Sequence, residues 1–158
     1  MNKEDKELLL RDLCNRLPYN VMCQVEFKED GKYNSKVMLL SGIFTDEAYF
    51  TTKDGSIYSN EYKPYLRPMS SMTEEEAKEL SILCDITDVL SIKITDEYID
   101  FEVDDGFSSI ETKIIWFNDI ISSIEIFDWL NKNHFDYRGL IPMGLAIAAT
   151  KENNPYKK

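Results

Sequence analysis

The sequence predicts an α+β fold: an N-terminal helix, a small SH3-like or curled antiparallel sheet, a second helix, a three-stranded antiparallel meander, and a C-terminal helix with an irregular apolar tail. Three observations predict it. The apolar spacing alternates between the helical period and the strand period of two along the chain. Helix-start signatures stand at Asn2, Thr73 and Ser122. Between them, Asp30-Gly31, Asp54-Gly55 and Asp105-Gly106 are turn signals flanked by short apolar runs.

Taken in order, residues 2–17 read as a helix, because Leu9, Leu10, Leu13 and Leu17 recur at spacings of three and four. Asn2 caps it, Glu4 and Asp5 suit its positive end, Arg11 and Arg16 lie toward the other end, and Pro18 stops it. Val21, Cys23, Val25 and Phe27 then alternate with polar neighbours as a half-buried strand. Residues 36–44 form the return strand, with Gly42 at a bulge, and a turn follows at Asp46. Residues 48–52 and 56–59 add two more strands around the turn at Lys53-Asp54-Gly55. In residues 62–73, Pro64 and Pro68 imply an extended segment that cannot be a central strand. Thr73 with Glu76 is a capping box, opening a helix whose apolar face is Ala77, Leu80, Leu83 and Cys84. The meander follows, and its last strand carries Ile110, Thr112, Ile114 and Trp116 on one face. A second capping box, Ser122 with Glu125, opens the last helix, which ends at Asn131-Lys132-Asn133. Pro142 and Gly144 forbid a regular helix through the apolar tail, and the polar residues from Thr150 are expected to fray.

The stretch 122–147 is the densest in apolar and aromatic residues and is expected to organise the fold. Phe127, Trp129, Leu130, Phe135, Leu140 and Ile141 are its expected core contributors. A chain of 158 residues suits a single domain, residues 1–158. The competing arrangement is two sub-lobes, 1–70 (helix plus SH3-like sheet) and 71–150 (helix, meander, helix), divided at Pro64 and Pro68.

Composition narrows function by exclusion. The net charge of −11 repels nucleic acid and anionic lipid, so neither is an expected partner; it favours solubility, or a basic partner, and a well-solvated surface is the simpler of the two readings. No apolar run reaches membrane-spanning length, and MNKEDKE is charged where a signal peptide would turn apolar. The expected setting is cytoplasmic. Cys14, Cys23 and Cys84 are odd in number and match no zinc spacing, so they read as free thiols serving as small core hydrophobes, with no metal and no cofactor. Asp100, Glu102 and Asp104 alternate with Phe101 and Val103, which reads as the wet face of a strand and not as a calcium loop.

Two clusters carry candidate binding residues. Tyr62, with Tyr65 and Arg67 bracketed by Pro64 and Pro68, suggests a surface for an extended peptide, against the simpler role of a rigid connection. His134, Asp136, Tyr137 and Arg138 are the one cluster with acid–base potential. No serine or cysteine beside them reads as a nucleophile and no phosphate loop is present, so no catalytic residue is assigned. The competing role for His134 and Arg138 is to cap the preceding helix.

The segments KELLLRDLCNRLPYNV, YKPYLRPMSSMTEEE and DWLNKNHFDYRGLIPMGLAI resemble a family of small uncharacterised proteins encoded by phages, prophages and other mobile elements of gut bacteria. The resemblance implies a phage or prophage setting in the cytoplasm of a bacterial host cell. It implies no activity. The preferred expectation is a non-catalytic interaction protein that modulates a host or phage protein, for example in host defence. The alternatives are a small-ligand or nucleotide binder using Tyr62, Arg67, His134, Tyr137 and Arg138, and a hydrolase using His134 and Asp136.

Overall fold

The computed structural model describes residues 2–44, 47–52, 55–107 and 109–156. The turns expected at Asp46 and at Lys53-Asp54 lie outside the described residues. The fold is α+β. In chain order its elements are α1 (Lys3–Arg16), β1 (Met22–Glu29), β2 (Lys32–Phe44), β3 (Glu47–Thr52), β4 (Gly55–Ser59), β5 (Tyr62–Leu66), α2 (Glu74–Leu83), β6 (Val89–Ile94), β7 (Tyr98–Asp104), β8 (Ile110–Trp116), α3 (Ile124–Lys132) and β9 (Ile147–Ala148). They form two units: Met1–Arg67 with Arg138–Lys158, and Pro68–Tyr137. Residues from Arg138 onward, grouped by sequence with the second lobe, therefore belong with the first unit.

In the first unit, Asn2 Oδ1 accepts the Asp5 N–H at 2.7 Å, starting α1. Pro18 converts the chain to a 3-10 turn, Leu17–Tyr19. Leu9 and Leu13 are buried on a sheet of order β4-β3-β2-β1-β5-β9. Asp30 and Gly31 both take positive φ, 47° and 79°, the geometry of a two-residue hairpin turn between β1 and β2. The β2–β3 register shifts between Leu40 and Gly42, the expected bulge, a feature that locally bends a strand. Ser59 Oγ donates to Glu26 O at 2.8 Å, and the Glu26 N–H donates to Glu61 O at 2.9 Å, so the end of β4 is pinned back to β1.

Two sequence expectations are corrected here. Pro64 lies in a strand with neighbours on both sides, β1 and β9. It fits because Glu26 and Glu61 form a hydrogen-bonded pair, and ladder pairs alternate. Cys23↔Pro64 is then a non-bonded pair, so the missing N–H is not needed by β1, and β9 pairs only with Tyr65 and Leu66. The tail from Thr150 is also ordered as far as Tyr156. The Tyr156 hydroxyl accepts the Met22 N–H at 3.1 Å and donates to Tyr65 O at 2.7 Å. It serves as a rung between β1 and β5 where the two backbones no longer pair directly.

The first unit also buries charge. Asp12 and Arg16 are fully buried. Asp12 Oδ2 accepts from Arg16 Nε at 2.6 Å and Oδ1 from Arg16 Nη2 at 3.2 Å. Arg138 Nε lies 3.2 Å from Asp12 Oδ1. A buried carboxylate without such partners would be strongly unfavourable, so the pairing locks the returning segment against α1.

The second unit has its own core, built from Ala77 and Leu80 of α2, Ile99, Phe101 and Val103 of β7, Ile126 and Leu130 of α3, and Phe135. The capping box at Thr73 is complete: Glu76 N–H donates to Thr73 Oγ1 at 3.2 Å, and Thr73 N–H donates to Glu76 Oε2 at 2.9 Å. The expected box at Ser122 is shifted by one residue. Ser123 is the N-cap, accepting the Ile126 N–H at 3.3 Å, which leaves Glu125 one position short of the reciprocal bond. Both helices end with a residue in the left-handed conformation, Asp85 (φ 56°) after α2 and His134 (φ 59°) after α3. Each is followed by a residue whose N–H reaches back into the helix: Ile86 to Ser81 O at 2.8 Å, and Phe135 to Leu130 O at 3.0 Å. The left-handed residue is His134, not one of the asparagines before it. The Phe135 ring stacks on Trp129 at 5.6 Å.

The stretch 122–147 thus serves two cores. Ile126, Leu130, Phe135 and Tyr137 lie in the second, while Leu140 and Leu145 lie in the first. In the meander, Ile110, Thr112, Ile114 and Trp116 do share a face, but it is the exposed one, and the buried face belongs to Ile99, Phe101 and Val103 of β7.

Candidate functional site

The candidate site is an open groove of about 660 Å³ in the first unit. Its apolar surface comes from Leu9 of α1, Tyr62 of β5, and Met143, Leu145 and Ile147 of the tail. Its polar rim comes from Asp5, Gln24, Glu26, Asn60, Glu61 and Lys63. Each wall is fixed by local chemistry. The tail wall turns at Gly144 (φ 72°), whose N–H donates to Ile141 O at 2.9 Å, and the Leu145 N–H donates to Leu140 O at 2.9 Å. Pairing of Tyr65 with Ile147 then holds the tail alongside β5.

On the rim, Ser59 positions both glutamates through the backbone. Its hydroxyl donates to Glu26 O and accepts the Glu61 N–H at 3.0 Å. Gln24 is held from two directions, with its Nε2 donating to Ser35 Oγ and its Oε1 accepting from the Tyr65 hydroxyl at 2.8 Å. Glu26, Asn60 and Glu61 also border a second cleft of about 540 Å³, walled by Tyr33, Ile57 and Tyr58, so these three residues form a ridge between two hollows. Lys28 Nζ sits 5.8 Å from the Tyr33 ring centroid at that side. Among the described residues, the groove carries three carboxylates, Asp5, Glu26 and Glu61, against one ammonium, Lys63.

The Tyr62 ring packs at 5.2 Å from Phe50. Burial pushes its phenol up to about 12, with interactions with Cys23 and Cys14 adding to the shift. It therefore stays protonated and able to donate at neutral pH. Cys23, fully buried under the sheet, is held well above the ordinary thiol range by desolvation. Cys84 is half-buried and also raised, first by desolvation and then by Asp85. Cys14 is exposed, which corrects its expected core role: it lies beside the Leu9–Leu13 stripe, not on it.

Of the sequence candidates, Tyr62 lines the groove and Tyr65 supports it through Gln24. Arg67 is half-buried after β5. Arg138 is engaged with Asp12. Tyr137 is buried in the second unit, donating to Asn131 Oδ1 at 2.9 Å, with its ring 5.7 Å from Phe127. His134 and Asp136 are buried as well, and the backbone of His134 closes α3. Sequence reasoning missed Gln24, Glu26 and Glu61 on the rim and Met143 and Leu145 on the far wall. The polar alternation of β1 marks Gln24 and Glu26 as outward-facing, but the tail wall arrives from far along the chain and leaves no local signal.

The acids of the meander have local roles. Asp104 Oδ1 accepts the Gly106 N–H at 2.8 Å, and Asp105 Oδ1 accepts the Phe107 N–H at 2.7 Å and the Ser109 N–H at 3.0 Å. A further bond from the Ser109 hydroxyl is the largest cause holding the Asp105 carboxyl below its ordinary range. Among the described residues, no group of three or more His, Cys, Asp or Glu is placed to hold a metal ion, and no described helix is long and apolar enough to cross a membrane.

No protein-family model, curated protein or solved structure matches the chain.

Proposed function

We propose that the protein is a non-catalytic binding protein of phage or prophage type, acting in the bacterial host cytoplasm on a host or phage protein. Its ligand is an extended segment of that partner carrying an apolar side chain flanked by Lys or Arg. The observation that supports this is the groove: apolar walls from Leu9, Tyr62, Met143 and Leu145 beneath a rim of three carboxylates and one ammonium. An apolar anchor gains by leaving water there, and flanking cations meet Glu26 and Glu61. A phosphate-bearing ligand would meet the same carboxylates unfavourably, which ranks a nucleotide below a basic peptide. Among the described residues, the groove's lining includes no serine, cysteine or histidine.

The test is a fluorescence-polarisation screen of short synthetic peptides, Lys/Arg-flanked Leu or Met against Asp/Glu-flanked counterparts. The basic set should bind, and Glu26→Lys with Glu61→Lys should weaken it at least tenfold without changing the melting temperature by more than a few degrees. Equal binding of both sets, or binding indifferent to the charge reversals, would refute the reading.

A further inference from the structure

The second unit carries an unprotected sheet edge. Its sheet has the order β6-β7-β8, so β6 and β8 are both edges. The β6 edge is blunted, because its register with β7 shifts between Val89 and Ser91. β8 pairs with β7 over all seven of its residues without interruption. Natural sheets avoid such an edge when it also shows apolar side chains to water. Here Ile110, Ile114 and Trp116 are 64%, 46% and 46% exposed, and the Trp116 ring packs 4.9 Å from Tyr98 on that outer face.

The backbone direction of this edge can be read from the ladder. Asp105 N–H donates to Ser109 O, and Phe117 N–H donates to Glu97 O. Hydrogen-bonded pairs alternate with non-bonded ones, so the odd-numbered residues of β8 bond to β7. The N–H and C=O groups of Ile110, Thr112, Ile114 and Trp116 point away from β7, toward the open edge.

We propose that this edge is a self-association surface, and that its occupant is β8 of a second copy of this chain, antiparallel and centred on Thr112. Register selects this pairing. A two-fold antiparallel pairing must match even-numbered residues with even-numbered ones to use the outward backbone groups. Centred on Glu111 it would oppose two glutamates, and centred on Lys113 it would oppose two lysines. Centred on Ile114 it would pair no opposite charges. Centred on Thr112, it places Glu111 of each copy opposite Lys113 of the other, twice. Those are non-bonded pairs, where Cα atoms approach to about 4.5 Å and side chains are closest. Thr112 meets Thr112 and Ile110 meets Ile114 through backbone bonds, on the outer face. Glu111 and Lys113 already lie on one face of the strand, with 3.9 Å between Glu111 Oε2 and Lys113 Nζ, and both are solvent-accessible. The pairing is isologous, so it closes on a dimer and does not propagate.

Each copy carries a net charge of −11, so long-range repulsion opposes association. A seam of one strand also belongs to the small, transient class of interface. The dimer is therefore concentration-dependent. The proposal is independent of the groove on the first unit.

Sedimentation equilibrium of the full chain over a concentration series tests it. Wild type should shift from the 18.4 kDa monomer toward twice that mass. Glu111→Lys opposes lysines at both positions and should weaken association at least tenfold. Adding Lys113→Glu restores opposite charges in the same register and should restore the dimer. Thr112→Pro removes an N–H that faces outward, a place where an edge strand accepts proline, and should abolish the dimer while the monomer's melting curve persists. A monomer at every concentration overturns the proposal. So does a dimer unchanged by Glu111→Lys, or a double variant that stays monomeric.

Discussion

Asp12 shows how much one side chain can decide. It has no exposure, yet it holds Arg16 through two bonds and Arg138 through a third contact. Removing it takes the carboxylate away from a buried guanidinium, and breaking a buried pair in this way typically costs about 3–5 kcal/mol. Asp12→Ala should therefore unfold at much lower denaturant than wild type. Arg138→Ala, at a side chain 23% exposed and with the Asp12–Arg16 pair still intact, should cost clearly less. Chemical denaturation followed by hydrogen exchange of the β1 and β2 amides measures both, and equal losses would contradict this account. None of this was legible locally. Arg16 read in sequence as a cation suited to a helix end, and the carboxylate that holds it also meets Arg138, which the chain delivers more than a hundred residues later. Arg138 was read as a binding candidate or a helix cap, and its partner Asp12 is one that no nearby residue announces.

At the scale of elements, the start and stop signals were the most legible part, because they rest on neighbouring atoms. Asn2, Thr73 with Glu76, Asp30-Gly31 and Gly42 all do what their local chemistry requires. The ends of α2 and α3 were less legible, since glycine is the usual left-handed residue there and neither helix has one. This gives a direct prediction. Asp85 is exposed, holds φ at 56°, and places a negative charge at the negative end of α2. Asp85→Gly relieves both, and should raise stability by about 0.5–1 kcal/mol, a few degrees in melting temperature. A lower melting temperature would show that the aspartate makes a compensating interaction. Strand faces were half legible. A period of two says that Ile110, Thr112, Ile114 and Trp116 share a face, but not which one. The core chose the other face because β7 offers Ile99, Phe101 and Val103 to it. Of the groove, Tyr62 was singled out in sequence with Tyr65 and Arg67 near Pro64 and Pro68, while its opposite wall depends on β9, too short and too distant to be read from periodicity.

On the scale of the whole molecule, the chain leaves the first unit after Arg67 and re-enters it after Tyr137. The intervening unit is self-contained, with both its helices capped and its core supplied from residues 69–137. Segments of this length sit near the lower limit of independent stability but do fold. A chain ended after Tyr137 should keep slow hydrogen exchange in β7 and lose it in β1 and β2. Uniform loss, or uniform retention, would contradict the division. The reason lies in what that shortened chain lacks: Leu140 and Leu145 from the core, Arg138 from the buried ion cluster, and the Tyr156 hydroxyl from the gap between β1 and β5. On the ribosome, this reverses the usual order of events. Nascent chains generally fold from the N-terminus as they emerge. Here the residues of α1 and the first strands must wait, with Leu9, Leu13 and Phe50 lacking part of their cover, until synthesis has passed Tyr156, while the segment made in between can settle ahead of them. A chaperone that holds emerging chains would find its binding site in α1 and the first strands, for as long as translation of the remaining residues lasts.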